Sequence, residues 1–200
     1  MLAVALAVIF VISCAKQVPP GTERKIGGGD KPSWVDNTKK ACTKEAKAFV
    51  GRGFRHSTER MALDYAKTNA MDEALTSMWG TYGQSKIREV CANAGVSVDD
   101  VISDAVVREA MVEWKTKGLI QGDFVENHIE KWEKITETGG REYYYVAYRL
   151  FMVPRDMVKN FLRDAMERKK AEEANEQTQR NVEKALDALE RMQTLDFEDW

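Results

Sequence analysis

The chain has 200 residues, with 30 Lys and Arg against 32 Asp and Glu, so its formal net charge is −2. This balance argues against a nucleic-acid-binding protein, because such proteins present a basic surface to the phosphate backbone. The hydrophobic content of 44% is sufficient for a packed core. The length fits one domain of ordinary size with an appendage.

Residues 1–13 are apolar and carry no charge. The run is too short to cross a bilayer, which needs about 20 apolar residues, and has the length and composition of a signal-peptide core. The following Val11-Ile12-Ser13-Cys14 resembles the bacterial lipobox, although the usual preceding basic residues are absent. That resemblance implies a signal peptide over 1–13 and lipidation of Cys14. The alternative is a short buried segment ending in an ordinary cysteine.

Residues 14–31 are polar and rich in Pro and Gly, which is typical of a flexible tether. Two or three acyl chains on one cysteine would anchor the protein permanently. In sorted lipoproteins, an aspartate directly after the lipidated cysteine favours retention at the inner membrane. In this chain Ala15 stands at that position, directly after Cys14. The expected location is therefore the outer membrane, bound through the N-terminal lipid and facing the periplasm.

Cys42 and Cys91 are the two remaining cysteines. An exported compartment permits a disulfide between them. Two separate buried thiols fit equally well, and the sequence leaves both alternatives open.

The chain after Lys31 opens with an extended segment over 31–37, in which Trp34 is expected to plug the domain. A strand is predicted over 48–54, where Gly51 and Gly53 mark the close approach of another backbone. Ser57 is the expected N-cap of the next helix, which ends at Gly80. Small residues four apart share one face of that helix, and its buried row is Ala62, Ala66, Ala70, Ala74 and Met78.

Two more helices are predicted over 84–94 and from Ser97 to Gly118, the second opened by a capping box. Its expected buried side comprises Ile102, Ala105, Val106, Ala110 and Trp114. A strand over 124–136 and a two-residue turn at 138–140 lead into a strand over 141–153. That last strand is rich in aromatic and branched residues and is expected to be central.

From Arg155 a long helix is predicted, with Val158, Phe161 and Leu162 packed on the sheet. Residues 167–181 are almost wholly polar and are expected to leave the domain. An apolar stripe then returns at coiled-coil spacing, formed by Val182, Ala185, Leu189 and Met192. This stripe has two interpretations. It is an interaction face for a neighbouring subunit or partner, in which case residues 178–200 can be deleted without unfolding the domain. Alternatively, it folds back onto the chain's own domain.

No motif points to catalysis. His56 and His128 are the only histidines, neither has metal-ligand spacing, and no nucleophile elbow or phosphate loop occurs. We therefore expect no enzyme activity, catalytic residue, metal site or cofactor.

The chain combines four features: the Cys14 lipobox, Pro32-Ser33-Trp34-Val35, the Gly51/Gly53 strand with its alanine-rich helix, and the hairpin into Tyr143-Tyr144-Tyr145-Val146. Together they resemble the LPP-twenty family of bacterial outer-membrane lipoproteins. The resemblance spans roughly residues 32–165. It implies an α+β domain over 32–166, with helices on one face of a small, mostly antiparallel sheet, and a long helical extension over 167–200.

The same resemblance implies a non-enzymatic envelope lipoprotein with a structural or interaction role that self-assembles into a homo-oligomer or binds an envelope protein. Some relatives form rings or disks around the flagellar motor. The competing hypothesis is a lipid-tethered periplasmic module that binds a small ligand between helices and sheet.

Overall fold

The computed structural model describes residues 19–193. The helices are α1 (Ser33–Asp36), α2 (Glu59–Trp79), α3 (Thr81–Ala94), α4 (Val98–Val101), α5 (Asp104–Thr116), α6 (Met157–Glu172) and α7 (Glu176–Arg191). The strands are β1 (Glu23–Gly27), β2 (Ala46–His56), β3 (Asp123–Ile135) and β4 (Arg141–Pro154). They form one antiparallel sheet in the order β1-β3-β4-β2. The α+β class is confirmed, including the C-terminal helix.

The strand β4 is central, as predicted, with β3 on one side and β2 on the other. The connection from β3 to β4 is longer than the predicted two-residue turn. It runs over residues 136–140 and closes with a hydrogen bond from the Thr136 amide to the Gly140 carbonyl at 2.9 Å. Gly139 adopts φ +80°, which an L side chain rarely tolerates.

The helix α2 packs directly on β2 and β4 because its alanine row faces glycines of β2 and Ala147 of β4. Ala66 and Ala70 are completely buried, as predicted. A Cβ added to Gly51 would lie 1.7 Å from the Ala66 carbonyl oxygen, and one added to Gly53 would lie 2.0 Å from that of Ala62.

The N-cap of α2 is Thr58 and not Ser57, since the Thr58 hydroxyl accepts the Met61 amide hydrogen bond at 3.2 Å.

The segment predicted as one helix from Ser97 to Gly118 is broken in two. The backbone is extended at Ile102, and a new helix begins after Ser103, whose hydroxyl accepts a hydrogen bond from the Val106 amide of α5. Ser97 makes no side-chain cap. Because of this break Ala105 lies on the exposed side, contrary to the prediction, while Val106, Ala110 and Trp114 are buried.

The sheet face opposite α2 has its own smaller cluster, which is covered at one end by α1. The segment predicted to be extended is this short helix. Trp34 and Val35 are buried there against Ala48, Val146 and Tyr148. The predicted role of Trp34 as a plug is therefore confirmed, and its indole donates to Glu126 at 2.6 Å.

The polar stretch after α6 does not leave the domain. The chain reverses at residues 173–175, and the Asn175 side chain caps α7. Val182, Ala185 and Leu189 are fully buried and Met192 is 8% exposed, all within the main core. The fold-back alternative therefore describes this chain, and these side chains offer no free face to a neighbour.

Cys42 and Cys91 are both free thiols. Cys91 lies in the main core among the helices, whereas Cys42 packs with the cluster on the opposite sheet face. The sheet separates them, so the disulfide alternative does not describe this structure. Burial raises the pKa of the Cys91 thiol to about 11.

Candidate functional site: the strand that follows the tether

The predicted lipidation residue, Cys14, lies outside the described residues, as does the signal peptide. The tether predicted over 14–31 is interrupted by β1, which pairs with β3 from Glu23 to Gly27. Pairing begins just before it, where the Gly21 amide donates to the Ile135 carbonyl at 2.8 Å. Eight residues lead from Cys14 to Thr22, which can span no more than about 28 Å when extended.

On the α2 side of the sheet, β1 is held by the carboxylate of Glu133. That side chain is only 2% exposed. It accepts a hydrogen bond from Arg24 at 2.6 Å and one from Arg141 at 3.1 Å. One buried acid thus ties the edge strand β1 to the start of β4 across β3.

On the opposite face, the carboxylate of Glu130 ties β1 to β3. It lies three residues from Glu133, so the alternation of a strand directs it to the other side. It accepts the Lys25 ammonium at 3.1 Å and the Trp132 indole at 3.0 Å. We call these two groups of contacts, Arg24–Glu133–Arg141 and Lys25–Glu130–Trp132, the β1 clamp.

Both clamp carboxylates are ionised at neutral pH. Burial by itself would raise the pKa of Glu130, but the hydrogen bonds from Lys25 and Trp132 and the Lys25 charge outweigh it and lower that pKa. For Glu133, burial is likewise outweighed by the Arg24 hydrogen bond and the charges of Arg141 and Arg24, so its pKa is also lowered.

A third contact lies at the start of β1. The Glu23 carboxylate accepts from the Tyr144 hydroxyl at 3.0 Å and from Arg55 at 3.2 Å. Arg55 has φ 56° at the irregularity near the end of β2. The strand β1 is therefore also connected to β4 and β2.

His128 lies beside the clamp and is 8% exposed. Its Nε2 atom is 3.5 Å from Glu130 Oε1, too far for a good hydrogen bond, and has no hydrogen-bond partner among the described residues. Its ring lies 6.0 Å from that of Tyr148, its direct neighbour on β4. His128 is thus a buried residue packed between the clamp and the aromatic strand β4.

Clefts in the surface lie away from the clamp. One of about 460 Å³ between α3 and the start of α4 and α5 is lined by Trp79, Ile87, Arg88 and Asp99. Within residues 19–193, no cluster of His, Cys, Asp or Glu has the arrangement of a metal site.

Sequence reasoning missed the clamp because the charged run Glu23-Arg24-Lys25 looks like part of a polar tether. The detectable signal is in β3, where Glu126, His128, Glu130 and Trp132 alternate along one face. Of these, His128 and Glu130 are buried, which is unusual for polar residues unless they are paired. They indicate that a charged partner covers them.

Comparison with known proteins gave no match to a family model, to a curated protein or to a solved structure. None of the helices in the described part of the chain is long and apolar enough to cross a membrane. The interpretation of function therefore depends on the sequence pattern and on the geometry of the clamp.

Proposed function

We propose that the protein is a lipid-anchored envelope protein of the outer membrane, facing the periplasm, with a structural or interaction role. The observation that carries the proposal is the position of β1. A strand fixed by ion pairs to buried carboxylates on both sheet faces begins within nine residues of the lipobox cysteine.

This arrangement suits a protein held close to a membrane. With β1 built into the sheet, the free part of the tether reaches only about 28 Å from Cys14 to Thr22. A force applied at the lipid is thus transmitted directly to the sheet through β1. A long flexible linker would leave the domain free to move through the periplasm instead.

Self-assembly into a homo-oligomer is part of the same proposal and is supported by the resemblance to the LPP-twenty family. The outer edge of β2 is a poor pairing surface for this purpose. The Ala46, Ala48 and Arg52 amides already donate to Thr43, Cys42 and Asn69 side chains. Such covering is how native edge strands avoid pairing with other chains, so we assign subunit contacts to other surfaces.

The lipid anchor is tested by metabolic labelling with a palmitate analogue in a bacterial host. The wild type and the matched control Cys42→Ser should both incorporate the label, and Cys14→Ser should not. Persistent labelling of Cys14→Ser would contradict the proposed anchor.

Self-assembly is tested by sedimentation velocity of the detergent-solubilised protein over a range of concentrations. A species larger than the monomer should grow with concentration. A monomer at every concentration would remove the assembly part of the proposal and leave the anchor intact.

A further inference from the structure

Two cations meet where β2 begins and β4 ends. Arg155 follows β4 and donates its amide to the Glu45 carbonyl at 3.0 Å, just before Lys47. Burial and, to a smaller extent, the Arg155 charge lower the pKa of Lys47, while Cys42 acts in the opposite direction. The Lys47 ammonium also lies 5.8 Å from the centre of the Phe49 ring. This surface is both cationic and aromatic.

The helix α7 ends beside the same surface. Lys159 lies in the first turn of α6, four residues after Arg155, and its ammonium donates to the Met192 carbonyl at 3.0 Å. Four residues span at most about 14 Å. Residues 194–200, which lie outside the described part, therefore continue from a point close to Lys47 and Arg155.

The composition of residues 194–200 complements that surface. The segment contains Asp196, Glu198 and Asp199 and no basic residue. Leu195 and Phe197 alternate with Asp196 and Glu198, which is the pattern of an extended segment with one apolar side.

A groove of about 500 Å³ runs along the outer edge of β2 from this point. Its lining includes Lys47, Phe49 and Arg52 from β2 and, from the facing side of α2, Asn69 and the acidic Glu73. Lys47 to Arg52 spans about 17 Å along the strand, and seven extended residues reach about 23 Å. The segment is thus long enough to enter the groove from its Lys47 end.

We infer that residues 194–200 bind in this groove of their own molecule, with acidic side chains toward Lys47 and Arg155 and with Leu195 and Phe197 toward Phe49. Three outward amides of β2 are already occupied by side chains. The segment is therefore held by charge and apolar contact and not as a full additional strand. Its presence completes the protection of the β2 edge.

The test is the rate at which chymotrypsin cleaves after Phe197, followed by mass spectrometry on the full chain. A bound segment is cleaved only when it opens. Lys47→Glu should speed cleavage severalfold, and Lys184→Glu, a charge reversal on the exposed side of α7, should leave the rate unchanged. Combining Lys47→Glu with Glu198→Lys should restore slow cleavage.

A rate for Lys47→Glu equal to that of the wild type would overturn the inference. Protection that increases with protein concentration would also overturn it, because the segment would then bind a second copy. Should Lys47→Glu fail to fold, the triple change Asp196→Lys, Glu198→Lys and Asp199→Lys serves instead, since it alters only the segment. Hydrogen exchange over residues 47–52 should then be faster than in the wild type, and equal exchange would contradict the inference.

Discussion

The two edge strands of the sheet are held in opposite ways. Along β2, Gly51 and Gly53 lie against the backbone of α2, and the contact depends on the absence of side chains. Along β1, cationic side chains from β1 and β4 converge on the buried carboxylates of Glu130 and Glu133 in β3. The contact of β2 with α2 has no titratable group at its centre, whereas the contacts that hold β1 are mainly between titratable side chains.

This difference predicts different sensitivities. Contact between close-packed backbones does not depend on pH or salt, but it tolerates almost no added volume. An ion-paired clamp accepts changes of shape more easily but depends on the ionisation of its acids. The strand nearest the tether is thus the one whose attachment responds to acid.

The largest effect is expected for an added methyl group at Gly51. Gly51→Ala places a Cβ against the Ala66 carbonyl and must displace α2, at a cost of about 4 kcal/mol, at the upper end for overpacking. Gly27→Ala in β1 is the matched control, since its Cβ would meet only Lys131 Cβ, at 3.6 Å. Urea denaturation measures both, and equal stability of the two variants would contradict the packing of α2 on β2.

The next effect concerns α7, which the structure places in the core beside α3 and α6. Leu189→Ala should cost about 3 kcal/mol, because the removed side chain is fully buried. Val112→Ala, at a position 62% exposed, should change stability by less than about 0.5 kcal/mol. Thermal unfolding compares them, and an unchanged melting temperature for Leu189→Ala would mean that α7 is not part of the domain core.

A smaller effect is expected in the clamp itself. Glu130→Gln keeps the side-chain shape but weakens the hydrogen bonds from Lys25 and Trp132. Since Lys25 is 30% exposed and partly screened, we expect a loss of about 1–2 kcal/mol. Glu126→Gln, on the same face but in an exposed residue, serves as the comparison in urea denaturation. A larger loss for Glu126→Gln would indicate that α1 and not the clamp holds this face.

The smallest effect is on the pH dependence of stability. Both clamp acids have a lower pKa in the folded state than the ordinary glutamate value of about 4.3. Their contribution is therefore fully present above about pH 4.3 and is lost as the pH falls through the lowered folded-state pKa. Removing both with Glu130→Gln and Glu133→Gln should flatten the decrease of stability in acid. An identical slope in wild type and double variant would contradict the ionised clamp.

The sequence was sufficient to predict the elements whose pattern is local. The alanine row of α2, the aromatic strand β4 and the glycines of β2 predicted burial and close approach correctly, because each depends on neighbours at fixed spacing. The break at Ile102 was missed because a capping pattern at Ser97 competed with the better cap at Ser103. The position of α7 was left open, since an apolar stripe does not specify what covers it.

The clamp could not be predicted because its partners are distant in the chain. Glu133 and Arg24 are 109 residues apart, and Glu130 and Lys25 are 105 apart. Only the pairing of β1 with β3 brings them together. A short charged run between Pro19-Pro20 and three consecutive glycines contains no local sign of that pairing.

Hydrogen exchange at neutral pH tests the account most directly, by comparing the wild type with the Glu130→Gln and Glu133→Gln double variant. We predict that the amides of Arg24–Gly27 lose protection in the variant while those of Phe49–Gly53 in β2 keep theirs. Such a result would show that charge fixes the strand nearest the tether independently of the packed core. Unchanged protection in β1, or equal loss in both strands, would contradict this.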